Sequence, residues 1–309
     1  MDALPITHAR RALGRSGLTV FPIAWGGWRL VGDDVGRARR LVEAALEAGV
    51  DLFDLADVYG LDHGGAGFGA SEALFGRVLA EAPSLRARMV LATKGGIVPG
   101  VPYDSSAAHL VRACEASLAR LGVDAIDLYQ IHRPDWLAHP EEVAGALAQL
   151  REAGKIREVG VSNYTPAQFD ALQRHLPFPI ATHQPELSCW ALAPLRDGVL
   201  DQCLREGVTP LAWSPLAGGR LFVPPPADDP AAPRLAALQR VLGELAAREG
   251  ATPATVALAW LLAHPAGVVP IVGSQRPERW AECLRAFDVR LSRADWYRIV
   301  VASQGEPLP

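Results

Sequence analysis

Tyr59, Lys94, His132 and two aspartates, Asp54 and Asp57, are the residues of this chain whose types and placement permit proton-transfer chemistry. A tyrosine titrates near ~10 in water, so as a general acid at neutral pH it works better beside a cation that favours its phenolate. Lys94 supplies such a cation. A lysine drawn out of water needs a carboxylate to offset its desolvation, and either Asp54 or Asp57 stands within reach of that task. His132 could then orient a carbonyl or share the proton transfer. Taken singly, each residue has a plainer reading: a solvated loop lysine, a packed tyrosine, a His-Arg-Pro turn. The case for a site rests on four such groups falling at three successive strand ends.

Those strand ends come from the pattern of the whole chain. Short apolar runs alternate with segments of helical period from one end to the other, which is the signature of βαβ units and a parallel sheet. Eight strands are predicted, over residues 21–25, 50–54, 89–93, 125–131, 156–161, 180–183, 208–213 and 268–273. Eight parallel strands close into a barrel, so the predicted fold class is α/β, a (β/α)8 TIM barrel. A chain of 309 residues is long enough for one such domain, and no linker or repeat divides it, so 1–309 is read as a single barrel domain. In such a barrel the C-terminal strand ends and following loops converge on one mouth. Delivered there are Asp54 to Tyr59 after strand two, Thr93-Lys94 after strand three, Ile131-His132 after strand four and Ser162-Asn163 after strand five. His183-Gln184 and Trp213-Ser214 follow from strands six and seven.

The helices carry their own punctuation. Ala38, Leu41, Val42, Ala45 and Leu46 share one helical face with Gly49 as a stop. Thr165-Pro166-Ala167-Gln168 reads as a capping box, and Thr252-Pro253 repeats the cap-plus-proline opening. Residues 11–20, with a turn between Gly14 and Gly17, break the alternation and read as an N-terminal β-hairpin at the barrel bottom. The Pro-rich stretch 224–233 reads equally as a flap over a ligand or a solvated linker. Trp28 and Arg29, after strand one, border the pocket, with Trp28 as an apolar wall or as packing. Gly64-Gly65-Ala66-Gly67-Phe68-Gly69 lacks the Gly-x-Gly-x-x-Gly spacing and follows no strand directly, so it reads as a flexible loop near the substrate.

Thirty basic against 34 acidic residues leave a net charge of −4, so no overall positive field exists to hold nucleic acid. The four cysteines, Cys114, Cys189, Cys203 and Cys283, show no Cys-x-x-Cys pair and read as buried free thiols, and no metal site is expected. The N-terminus lacks the apolar run of a secretory signal, and no stretch approaches membrane-spanning length. A cytoplasmic protein that needs neither membrane nor nucleic acid is expected, with monomer as the default.

Over nearly its whole length the chain resembles the aldo-keto reductases. The matching motifs, in order, are Asp54-x-Ala56-x-x-Tyr59-Gly60, Ser71-Glu72, Thr93-Lys94, Asp127-Leu128-Tyr129-Gln130-Ile131-His132 and Gly154-Lys155-Ile156-Arg157-x-x-Gly160-Val161-Ser162-Asn163. Gln184, Trp213-Ser214-Pro215-Leu216 and Pro270-Ile271-Val272-Gly273-Ser274 complete the set. The resemblance implies a carbonyl reductase in which hydride comes from NADPH and Tyr59 gives the proton. Lys94 and Asp54 would tune Tyr59, and His132 would position the carbonyl oxygen of a small-molecule substrate; of the two aspartates, Asp54 holds the family's position. The cofactor would be bordered by Gly27 and Trp28. Its carboxamide would be met by Ser162, Asn163 and Gln184, its ring by Trp213, and its pyrophosphate by the loop with Ser214, Pro215, Leu216 and Gly218. Gly273, Ser274, Gln275, Arg279 and Glu282 fall toward the adenosine end, with Ser274 and an arginine, Arg276 or Arg279, on the 2′-phosphate.

The sequence departs from the family pattern at Leu55, where threonine is usual, at His183, where asparagine often stands, and at Cys283, in place of a frequent adenine-contacting asparagine. Two other readings use the same barrel: a Schiff-base aldolase with Lys94 as nucleophile, and a nicotinamide-nucleotide-sensing regulatory subunit with slow or no turnover. The first needs a neutral amine, which an adjacent Asp54 disfavours.

Overall fold

The N-terminal hairpin pairs Arg11–Ala12 (β1) with Thr19–Val20 (β2), and its side chains close the floor of a barrel. Leu13 and Val20 are wholly buried against Ala24, Leu52, Ala92, Leu128, Ala181, Leu211 and Val269, a plug of small and branched residues that fills the barrel's lower interior. Gly14 makes this approach possible: at φ 60° it is left-handed, and a Cβ there would lie 2.4 Å from the Ala181 carbonyl oxygen. Thr209 fastens the plug from inside, accepting from the Gly14 N–H at 2.7 Å and donating to the Ala12 carbonyl at 2.8 Å.

The computed structural model describes residues 3–226 and 228–309. Among these, the barrel strands are Ala24–Gly26 (β3), Leu52–Asp54 (β4), Val90–Gly95 (β5), Ile126–Ile131 (β6), Ile156–Ser162 (β7), Thr182–Gln184 (β8), Thr209–Ala212 (β9) and Val269–Val272 (β10). Every neighbouring pair is parallel and β10 closes on β3, so the predicted (β/α)8 barrel with an N-terminal hairpin is the observed architecture. All eight predicted strands are present, trimmed mostly at their starts. Residues 21–23 precede β3 without pairing; Pro22 has no N–H to give, and the Phe21 N–H is taken by Asp51 at 2.8 Å.

The surrounding helices are Val35–Glu47 (α1), Ala70–Glu81 (α2), Ala107–Leu121 (α3), Pro140–Glu152 (α4), Pro166–Gln173 (α5), Val199–Glu206 (α6), Ala232–Glu249 (α7), Pro253–Leu262 (α8), Arg279–Leu284 (α9) and Arg293–Gln304 (α10). The predicted face of α1 is the buried one, and Asp34 caps its first turn. The Thr165 capping box and the Thr252 cap are both formed. α8 is buried all round, and Trp260 stacks on Trp296 of α10 at 4.9 Å; each indole N–H donates to the other residue's carbonyl. The stretch 224–233 is divided: its last two residues belong to α7, Pro224 and Pro225 face the barrel mouth, and Ala227 lies outside the described residues. The four cysteines are buried free thiols. No helix among the described residues is long and apolar enough to cross a membrane.

Candidate active site

Parallel pairing sets Asp54, Lys94 and His132 on three adjacent strand ends. The ladder continues past β4, with the Leu55 and Asp57 N–H groups donating to the Ala92 and Lys94 carbonyls, so the chain leading to Tyr59 stays registered to β5. A turn closed by the Tyr59 N–H on the Ala56 carbonyl then brings the phenol oxygen to 2.9 Å from the Lys94 Nζ. Ser71 and Glu72, at the start of α2, brace this turn. Ser71 Oγ donates to the Gly27 carbonyl at 2.9 Å, while Glu72 accepts from Thr93 Oγ1 at 2.5 Å and from Arg120 Nε at 2.7 Å.

The Lys94 ammonium is wholly buried and spends its three donors on Asp54 Oδ2 at 2.6 Å, the Leu55 carbonyl at 2.9 Å and Tyr59 Oη at 2.9 Å. The geometry therefore brings Asp54, Lys94 and Tyr59 into one hydrogen-bonded line. Asp57 does not join it: both of its carboxyl oxygens are buried without a hydrogen-bond partner among the described residues. The departure at Leu55 is accommodated because this residue contributes a backbone carbonyl, which any residue supplies. His132 meets Tyr59 edge-on, with ring centroids 5.8 Å apart.

The electrostatics follow from burial and pairing. Burial pushes the Tyr59 phenol above its ordinary value, and the nearby Lys94 ammonium recovers only part of this. The net shift is opposite to a simple lysine-assisted lowering, and it keeps the phenol protonated at neutral pH. Burial pulls Lys94 down, but Asp54 and then Tyr59 more than reverse it, so the amine stays charged. A charged, ion-paired Lys94 is the wrong state for a Schiff-base nucleophile. His132 is held well below its ordinary value by burial and by Lys94 and Arg133, so it faces the mouth as a neutral imidazole. Asp57, buried beside Glu72, is pushed up to about 8 and keeps its proton at neutral pH.

Above this line lies a cavity of about 1470 Å3, larger than the ~300–1,000 Å3 of most small-molecule sites. Tyr59, His132, Arg276, Arg279, Glu282 and Cys283 all line it. Ser162, Asn163, Gln184, Trp213, Ser214, Pro215, Leu216, Gly218, Gly273, Ser274 and Gln275 line it as well, as does Trp28. Gly27 does not; it sits against Leu55, whose Cδ2 would be 2.2 Å from a Cβ at that position. The glycine run 64–69 does not line it either, whereas Leu61 and Asp62 just before the run do. Trp213 is anchored by its indole N–H on Asn163 Oδ1 at 2.9 Å. Asn163, Ser214 and Ala217 hold positive φ of 58°, 49° and 50°, local strain concentrated at the mouth.

Several site residues have partners that sequence did not foretell. Gln184 donates to Asp54 Oδ1 at 3.0 Å, and Glu282 accepts from Thr252 Oγ1 at 2.6 Å. Arg133 lines the cavity with its guanidinium 5.6 Å from the Trp213 ring centroid. Gln239 of α7 donates to the Arg220 and Val223 carbonyls and ties the loop after β9 to the helix. Arg133 stood in plain view after His132; only the closure of the barrel shows that it faces Trp213.

A parallel eight-stranded barrel with a buried lysine joining a tyrosine to an aspartate beneath a large cavity defines a class of oxidoreductase. The aldo/keto reductase family profile matches residues 22–303, and this chain belongs to that family. It is 51% identical, over the full length of both chains, to a 6-dehydroglucose reductase of Novosphingobium aromaticivorans. To a 6-dehydroglucose reductase of Agrobacterium fabrum it is 37% identical over 92% of this chain and 94% of the other. The crystal structure of a thermostable aldo-keto reductase in complex with the inhibitor epalrestat superposes with a TM-score of 0.80 at 28% identity, covering 95% of this chain and 99% of that one.

Proposed function

We propose that this protein reduces an aldehyde to an alcohol with NADPH, Tyr59 giving the proton to the carbonyl oxygen. The observation that carries the reading is the wholly buried Lys94, shared at 2.6 and 2.9 Å between Asp54 and Tyr59 at the floor of the cavity. The cofactor supplies hydride when bound. The chain's own residues do the rest. His132, neutral, is placed to share the carbonyl oxygen with Tyr59, and as that oxygen gains charge the phenolic proton moves to it. Lys94 then faces the phenolate and stabilises it, while Asp54 keeps the ammonium charged and in place.

The donor set fits a phosphorylated dinucleotide. Arg276 and Arg279, which line the cavity, have no ion-pair partner among the described residues, so their guanidiniums are available to an anion. The Trp213 indole offers a flat face with its N–H already satisfied, and Ser162, Asn163 and Gln184 offer polar groups beside it. Ser274, with its backbone carbonyl held by Trp25 at 3.3 Å, and Gln275 line the same cavity.

For the substrate we favour a sugar aldehyde, on the strength of the 51% identity to a 6-dehydroglucose reductase over the whole chain. The groups around Tyr59 suit a polyol: Trp28 as an aromatic wall, with its N–H on Asp62 at 3.4 Å, and Arg29, Asp62 and Arg133 as polar rim. The test is NADPH oxidation with a hexose carrying an aldehyde at C6, beside a simple alkyl aldehyde of similar size and with NADH in place of NADPH. The expected kcat/KM is about tenfold or more higher for the sugar aldehyde, a difference of about 1.4 kcal/mol, and higher for NADPH than for NADH. Equal turnover of both aldehydes would remove the sugar assignment while leaving the reductase.

A further inference from the structure

Gln130 has no part in the reaction as described above, yet it is a wholly buried amide in contact with Asp54. It lies on β6 opposite Lys94 of β5, and its Nε2 donates to Asp54 Oδ1 at 3.0 Å. Gln184 of β8 donates to the same oxygen, also at 3.0 Å. Asp54 thus gives one oxygen to Lys94 and the other to two amides. The far end of Gln130 is fixed too: its Oε1 accepts from Thr182 Oγ1 at 3.3 Å and from Gln184 Nε2 at 3.4 Å. Between them, β7 leaves room through Gly160, where a Cβ would lie 2.1 Å from Thr182 Oγ1 and 2.9 Å from Gln130 Cγ. Three consecutive strands are shaped around this one side chain.

Barrel interiors are filled mainly by branched aliphatic residues, and an amide there costs free energy unless its hydrogen bonds are made. Filling space does not require a donor aimed at a carboxylate. The charge on Asp54 tightens the hold of Tyr59 on its proton. Hydrogen bonds donated to Asp54 spread that charge and lessen the effect.

We propose that Gln130 is a positioning residue of the proton-donating site: it fixes Asp54 and tempers its charge, so that Lys94 donates more fully to Tyr59 and the phenol gives up its proton at neutral pH. It also keeps Asp54 Oδ1 satisfied when Gln184, which lines the cavity, turns toward a ligand. The proposal rests on Tyr59 being the proton donor.

Two measurements on Gln130→Met and Thr182→Val test it. Tyrosinate absorbance against pH, taken as the difference between each protein and its own Tyr59→Phe counterpart, reports Tyr59 ionisation without turnover. The pH dependence of kcat with NADPH and an aldehyde reports the working acid. In Gln130→Met, both the ionisation and the alkaline limb of kcat move up by about half to one pH unit, because a hydrogen bond to a charged group is lost. At neutral pH kcat falls about three- to tenfold, with KM for NADPH and aldehyde changed less than about twofold. Thr182→Val, which frees the far end of Gln130, shifts both in the same direction by less. A folded Gln130→Met whose Tyr59 ionisation and kcat profile match the parent overturns the proposal. Should that variant fail to fold, Thr182→Val decides by the same sign. If the parent reduces no carbonyl, the donor reading fails on its own, and the absorbance titration still shows whether Gln130 acts on Tyr59.

Discussion

Lys94 is the residue on which the site turns, because it is both a wholly buried charge and the contact through which Asp54 reaches Tyr59. Lys94→Met leaves Asp54 buried without its countercharge. The expected result is a loss of about 3–5 kcal/mol in urea unfolding together with loss of carbonyl reduction. Asp57 makes a different prediction. Its carboxyl is neutral in the folded protein up to about 8, whereas in the unfolded chain it ionises near ~3.9. Across that interval the unfolded state binds fewer protons, so the stability that Asp57 contributes at acid pH is lost as pH rises toward 8. Asp57→Asn removes the dependence: its Tm relative to the parent rises between pH 5 and pH 8.5, and parallel Tm curves would contradict the assignment. The order of motifs in sequence marked Asp54, Tyr59, Lys94 and His132 as candidates, but residue types alone left Asp54 and Asp57 equivalent. They differ because β4 ends at Asp54, which points inward, while Asp57 lies in the following turn beside Glu72.

At the scale of elements, sequence periodicity located every barrel strand because each is a short apolar run set off by helix signals. The starts were overextended because the lower strand ends give way to the hairpin plug, whose contacts span nearly two hundred residues of chain and leave no local trace. Thr209 and Gly14 illustrate this. Gly14→Ala combines a left-handed φ with a Cβ 2.4 Å from a backbone oxygen that cannot move aside. We expect a loss of about 2 kcal/mol or more in thermal or urea unfolding, since strain and overpacking each cost about 1–3 kcal/mol. An unchanged Tm would mean that the plug does not seat as described. Motif residues such as Asp127 and Arg157, paired at 3.1 Å, prove to be braces between β6 and β7, and no pattern distinguishes a brace from a binding group until the barrel closes.

For the whole molecule, a barrel concentrates strand ends at one mouth, so residues from positions 26 to 283 line one cavity. Most of the residues expected to border a cofactor line the cavity because they lie on strand ends and their loops, although Gly27 does not. Leu61, Arg133 and Gln239 were not readable in the sequence, because loop shape and the tie from α7 decide which side chains face inward. The central claim is that Tyr59 gives the proton, and one comparison tests it most directly: carbonyl-dependent NADPH oxidation by the parent and by Tyr59→Phe, beside NADPH binding followed by fluorescence. Turnover is expected to fall by about 100-fold or more in the phenylalanine variant while NADPH affinity stays within a few-fold, because the lost group acts on the transition state. Retention of turnover in Tyr59→Phe with intact binding would contradict it and move the proton donor to another group at the mouth.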